Sequence, residues 1–144
     1  MSNRGEKFAG SVDCMDGRSK AATAQFACCF VDSLFDGPGA VKFLADRDDS
    51  RHQSAIATFT ERMAISYHKH GTREVYVTGH AECAGHPVPD ATHKHDALKA
   101  TAVIRELVAK LGYEDVTVTP LWNERVDNKW QSTELEVISA AAAA

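Results

Sequence analysis

No apolar run in this 144-residue sequence comes near the roughly 20 residues that cross a bilayer as a helix. Basic charge is not in excess either. Sixteen Lys and Arg stand against 20 Asp and Glu, a net charge of −4, which leaves no electrostatic footprint for nucleic acid or an anionic membrane surface. The segment Met1 to Lys7 lacks the apolar core of a signal peptide, so a cytoplasmic location is the expectation. Cysteine is scarce, with four residues, and in a cytosolic chain of this size thiols are expected to bind metal or to pack rather than to pair. There is no internal repeat and no linker-like stretch. With 44% apolar and 25% charged residues the composition is that of a folded protein. One domain over residues 1–139 is expected, followed by a low-complexity tail, Ala140 to Ala144, without a role.

What is present is an alternation of strand-like and helix-like stretches. Lys7 to Asp13 reads as a first strand. Ser19 reads as the N-cap of a helix reaching about Phe35, with Ala22, Phe26, Cys29, Phe30 and Leu34 at three- and four-residue spacing. Asp36-Gly37-Pro38-Gly39 stops it as a turn, and Ala40 to Ala45 reads as a second strand. A second helix is expected from Arg51 to His70, ended by Gly71. Glu74 to Thr78, β-branched and aromatic, is the clearest strand and delivers Gly79-His80 at its end. A third helix follows from Lys94 to Leu111, then a strand from Asp115 to Trp122, and an edge strand from Trp130 to Ile138 after a turn at Asp127-Asn128-Lys129. The pattern predicts an α/β fold: a mainly parallel sheet of about four strands, flanking helices and a C-terminal antiparallel edge strand.

Chemistry concentrates in two short segments. Cys14-Met15-Asp16-Gly17-Arg18 lies where the first strand gives way to the first helix, and Gly79-His80-Ala81-Glu82-Cys83-Ala84-Gly85 follows the clearest strand. Open parallel sheets build their sites at such C-terminal strand ends. Two thiolates and an imidazole are a zinc set, and three protein ligands leave the fourth tetrahedral position open, which is the arrangement of catalytic zinc. Asp16 then has two possible jobs. It can accept a hydrogen bond from a water at the metal, or it can bind the metal and close the site, while Arg18 can hold it away through a charge-assisted fork. Elsewhere the residues read as ordinary structure. Cys28 and Cys29 are expected as buried thiols, and Phe26, Phe30, Phe43, Phe59 and Tyr76 as core. His68 and His70 are expected at the surface near a helix end, and His86, His93 and His95 in a solvated loop, with a proton relay as the alternative for one of the last three. Glu82 could orient a ligand or face solvent.

Cys14-x-Asp16-x-Arg18 followed by His80-x-x-Cys83, each after a strand, resembles the β-class carbonic anhydrase family. The likeness spans Phe8 to Cys83 at the motifs and extends more loosely over Val116 to Ile138. It implies an α/β fold, a homodimer and reversible hydration of CO2 to bicarbonate. It also implies zinc held by Cys14, His80 and Cys83, with Asp16 and Arg18 as a catalytic dyad. Two features depart from the family pattern. Members usually carry Arg-Asn-Ala-Gly after the second strand, where this sequence has Leu44-Ala45-Asp46-Arg47-Asp48-Asp49, and the glycine after the second cysteine is displaced by one residue. Relatives with the same zinc set hydrolyse carbonyl sulfide or carbon disulfide, and a catalytically silent zinc-bearing binding or regulatory protein is the third reading.

Overall fold

The computed structural model describes residues 4–135. Nine elements follow one another: β1 (Phe8–Val12), α1 (Gly17–Ala27), β2 (Phe30–Phe35), α2 (Val41–Ala45), α3 (His52–His70), β3 (Glu74–His80), α4 (Asp90–Lys110), β4 (Thr117–Val126) and β5 (Lys129–Glu134). The sheet order is β2-β1-β3-β4-β5. The first four strands run parallel and β5 pairs antiparallel with β4, so the expected class and sheet are borne out.

Alternate residues of β3 feed two packing layers, as the two-residue period of a strand requires. Val75 and Val77 join Val12, Leu34, Phe59, Met63, Ala97 and Ile104 on the face covered by α2, α3 and α4. Tyr76 joins Ala9, Ala27 and Leu121 on the face covered by α1. Both faces of the sheet are thus closed by helices, and the C-terminal ends of β1 and β3 come together at one edge of the core.

Two expected elements are replaced. The helix predicted to reach Phe35 ends at Ala27, because Cys28 turns left-handed (φ 53°) and its amide closes on Ala24 O. Phe30 to Phe35 then pairs in parallel with β1, starting at Phe8↔Phe30. Aromatic and branched residues satisfied both periods over this stretch, and tertiary pairing chose the strand. Conversely, Ala40 to Ala45 is not a strand. Val41–Ala45 is a single helical turn burying Val41, Phe43 and Leu44. Asp16, not Ser19, caps α1, α4 begins at Asp90, and β4 continues to Val126. Cys28 is exposed and Cys29 half-buried, and Phe26 and Phe30 are exposed, whereas Phe43, Phe59 and Tyr76 are buried as expected. The tail Ala140 to Ala144 and the end of the last predicted strand lie outside the described residues.

Candidate metal centre

Cys14 leaves the sheet two residues after β1, and His80 is the last residue of β3, its pleated neighbour. That adjacency brings Cys14 beside His80, 66 positions later in the sequence. The ligand atoms of Cys14, His80 and Cys83 all lie within 4.8 Å of one another, and all three residues are buried. The thiols are free, with their sulfurs 4.0 Å apart. Two thiolates on one tetrahedral zinc, each at about 2.3 Å, sit about 3.8 Å apart, so the pair already has the separation a shared ion demands.

His80 is oriented for the same task. Its Nδ1–H donates to Ala81 O (2.8 Å), which leaves Nε2 as the lone-pair nitrogen. Nε2 is buried and has no hydrogen-bond partner among the described residues. A buried imidazole nitrogen without a partner costs free energy unless something binds it. Soft sulfurs and an imidazole are the donors zinc selects, and the residues present fit that ion.

The electrostatics of the thiol pair point the same way. A hydrogen bond from Cys83 holds the Cys14 thiol well below its usual range against the effect of burial, helped by the amides of Gly39 and Asp16. The same contact, with burial, pushes the Cys83 thiol up. One thiolate therefore opposes the second, and a divalent cation between them removes the opposition.

Asp16 and Arg18 meet at the start of α1. Arg18 N and Nε donate to Asp16 Oδ1 at 2.9 and 3.1 Å, and Nη2 donates to Oδ2 at 2.8 Å. This fork lowers the Asp16 carboxyl to about 2, so it is ionised at any physiological pH. Arg18 also reaches Glu82 at 3.5 Å, and Glu82 reaches Arg125 at 3.9 Å. Glu82 therefore faces the guanidinium of Arg18 from a left-handed backbone position (φ 59°).

Several supporting residues carried no signal in sequence. Asp13, beside Cys14, is buried and accepts hydrogen bonds from Ser19 Oγ (2.6 Å) and Thr23 Oγ1 (2.8 Å). Burial raises its carboxyl to about 6. Asn123 stands opposite His80 in the β3–β4 register. Its Nδ2 is shared among Ser19 O, Ser19 Oγ and Thr23 Oγ1, its Oδ1 accepts from Ser132 Oγ, and its carbonyl accepts from Ala81 N at 2.9 Å. Gly39, read as part of a turn, donates its amide to Cys14 Sγ (3.3 Å). A side chain there would start 2.8 Å from the Gly85 backbone at φ +65°, so the loop holding Cys83 can seat only against glycine.

The histidines after Cys83 are not a solvated loop throughout. His93 is buried on α4, edge-on to Trp122 and 6.0 Å from His80 between ring centroids. Burial lowers it to about 4, followed by the charges of His86 and His80. His86 pairs with Asp96 at 2.7 Å. His70, expected at the surface, is partly covered, paired with Asp32 at 2.6 Å and stacked on Phe8.

A family model described as "Putative carbonic anhydrase" matches residues 4–136. No curated protein matches. Among solved structures, a carbonic anhydrase from Glaciozyma antarctica is similar at 19% identity, with a TM-score of 0.42 over 89% of this chain and 82% of that one. The β-carbonic anhydrase CafD of the filamentous fungus Aspergillus fumigatus is similar at 12% identity, with a TM-score of 0.45 over 92% and 91%.

Proposed function

This chain belongs to the carbonic anhydrase family whose model spans residues 4–136, and on that premise we propose that it catalyses the reversible hydration of CO2 to bicarbonate and a proton. The observation that carries the reading is the convergence of Cys14, His80 and Cys83 around an unpartnered His80 Nε2, beside a carboxylate held by a guanidinium. Cys14 Sγ, His80 Nε2 and Cys83 Sγ would hold zinc, whose Lewis acidity makes water nucleophilic near neutral pH. Asp16, ionised and fixed by Arg18, accepts the hydrogen bond of the attacking water and aims its lone pair at the carbon of CO2. Arg18 spends two of its donors on Asp16 and so keeps that carboxylate from turning to the metal. Asp13, Ser19, Thr23 and Asn123 fix the Cys14 loop and the start of α1, which sets the direction of both Cys14 and Asp16.

A homodimer belongs to the same proposal, supported by the edge position of β2 and by Phe30 and Ile65 exposed beside it. A cytoplasmic location is supported by four unpaired thiols. The test is stopped-flow CO2 hydration on metal-quantified protein at about pH 7 and 8.5, beside a Cys83→Ser control. Zinc-dependent turnover that vanishes in the control is the expected result, and full zinc without turnover at either pH overturns it. The run Leu44 to Asp49, which departs from the family pattern, supports a second reading: hydrolysis of carbonyl sulfide or carbon disulfide at the same metal. Sulfide release in the same assay separates the two. Zinc occupancy with neither activity would point to a binding or regulatory role.

A further inference from the structure

The hairpin β4–β5 turns on Asp127 and Asn128, both left-handed (φ 50° and 65°), the backbone of a two-residue type I′ turn. Its tight register sets Trp130 opposite Arg125 and carries the indole across to the start of α1. Arg18 Cζ lies 4.8 Å from the Trp130 ring centroid, and Arg125 Cζ lies 5.7 Å from it. The same ring meets His80 edge-on, with centroids 6.3 Å apart and planes at 64°. Trp130 therefore touches the guanidinium of the Asp16–Arg18 pair and a candidate metal ligand at once. Glu82 completes the enclosure, bridging Arg18 and Arg125.

We propose that Trp130 is a positioning residue for the Asp16–Arg18 pair: its ring is the shelf on which the Arg18 guanidinium lies while it forks onto Asp16. The inference rests on the hydration reading for its catalytic consequence, though not for the contact itself. Arg18 is 42% exposed in its side chain, so the fork alone would leave a long, mobile chain competing with water. A π face beneath a guanidinium attracts its charge and restricts its rotamers together. Trp130 Nε1 is buried and has no hydrogen-bond partner among the described residues, so the indole contributes its face and not its donor. Any aromatic face at this position should then serve, and an aliphatic side chain of similar bulk should not.

The experiment compares Trp130→Phe and Trp130→Leu with the wild type. One readout is the Arg18 Nε–Hε resonance in metal-free protein, assigned by loss in Arg18→Lys. The other is the split between kcat and KM in zinc-quantified protein. In the wild type the Arg18 Hε signal is expected upfield, displaced by the ring, and slow to exchange with water. In Trp130→Leu the displacement vanishes, exchange quickens and kcat falls about tenfold, with zinc content unchanged and KM within about twofold. Trp130→Phe retains a displaced signal and kcat within about threefold of wild type. A wild-type signal without ring displacement overturns the proposal, as does a leucine variant equal to wild type or a phenylalanine variant as impaired as leucine. Should leucine unfold the hairpin, the wild-type resonance and the phenylalanine variant decide by themselves. Absence of CO2 hydration in the wild type would refute the hydration reading while leaving the Arg18 resonance as the measure of the Trp130 contact.

Discussion

Cys14 Sγ and Cys83 Sγ stand 4.0 Å apart with no disulfide between them, although they lie 69 positions apart in the chain. The Cys83 thiol eases the ionisation of Cys14 through this contact, and the contact in turn opposes the ionisation of Cys83, an opposition that a divalent ion relieves. Zinc binding should consequently stabilise the fold. At free zinc a thousandfold above Kd the gain is about 4 kcal/mol, a thermal shift on the order of 10 °C or more. Cys83→Ser should lose stoichiometric zinc and most of that shift. Plasma emission for metal content and calorimetry with and without chelator measure both, and an unchanged melting temperature on stripping would contradict the site.

The fork between Asp16 and Arg18 makes a prediction that separates chemistry from binding. Asp16→Asn keeps the shape and the cap on α1 but removes the ionised acceptor held at about 2. It should retain zinc and lower kcat by about a hundredfold, within the usual range for a proton acceptor. Arg18→Lys keeps the charge and loses the planar fork, and an effect nearer tenfold is expected. Turnover in Asp16→Asn equal to wild type would remove Asp16 from the mechanism.

His93 carries a pH dependence of definite sign. Burial lowers it to about 4, below the roughly 6.5 of an unfolded chain. Between those values the unfolded state binds the extra proton, so stability from this group is complete above pH 6.5 and lost as pH falls towards 4. The full span amounts to about 3 kcal/mol. Asp13 acts oppositely, since its carboxyl is raised to about 6 and the folded state binds the extra proton as pH falls from 6 to 4. Urea unfolding of metal-free wild type against His93→Gln isolates the first effect, because Asp13 is common to both. The wild type should lose up to about 3 kcal/mol more than the variant between pH 7 and 4. Parallel curves would show that His93 is not buried neutral.

The two motifs were legible because their chemistry is local: His80 and Cys83 lie three residues apart, and Cys14, Asp16 and Arg18 share one turn. Their convergence also followed from the pattern, since the C-terminal ends of parallel strands lie along one edge of the sheet. What escaped was set by contacts distant in sequence. Phe30 to Phe35 carried helical spacing, and only its pairing with β1 made it β2. Cys28 in a left-handed cap has no glycine or asparagine to announce it. Asn123 and Trp130 act through residues a hundred or more positions earlier, and neither side chain carries a mark in sequence of what it will meet. His93 looked like loop because α4 begins four residues before its expected start.

Asn123 gives the sharpest test of how far the metal loop depends on that distant support. Its Nδ2 serves Ser19 and Thr23, whose hydroxyl protons go to Asp13, and its carbonyl pins Ala81 directly after His80. Asn123→Asp replaces the donor with a carboxylate in a buried pocket that already holds one. Two carboxylates joined by two hydroxyls cannot both ionise cheaply, and the hydroxyls of Ser19 and Thr23 lose their donor. A loss of about 3 kcal/mol or more is expected near pH 7. That loss should shrink as pH is lowered towards 5, where one proton shared by the pair restores a donor. Asn123→Ala removes the donor without adding charge, so it should cost less, about 2 kcal/mol, and show no such recovery. Urea titrations of both variants at pH 7 and 5 distinguish the cases. Equal and pH-independent losses would mean that Asn123 only fills space, and that Asp13 is held in place by Ser19 and Thr23 alone.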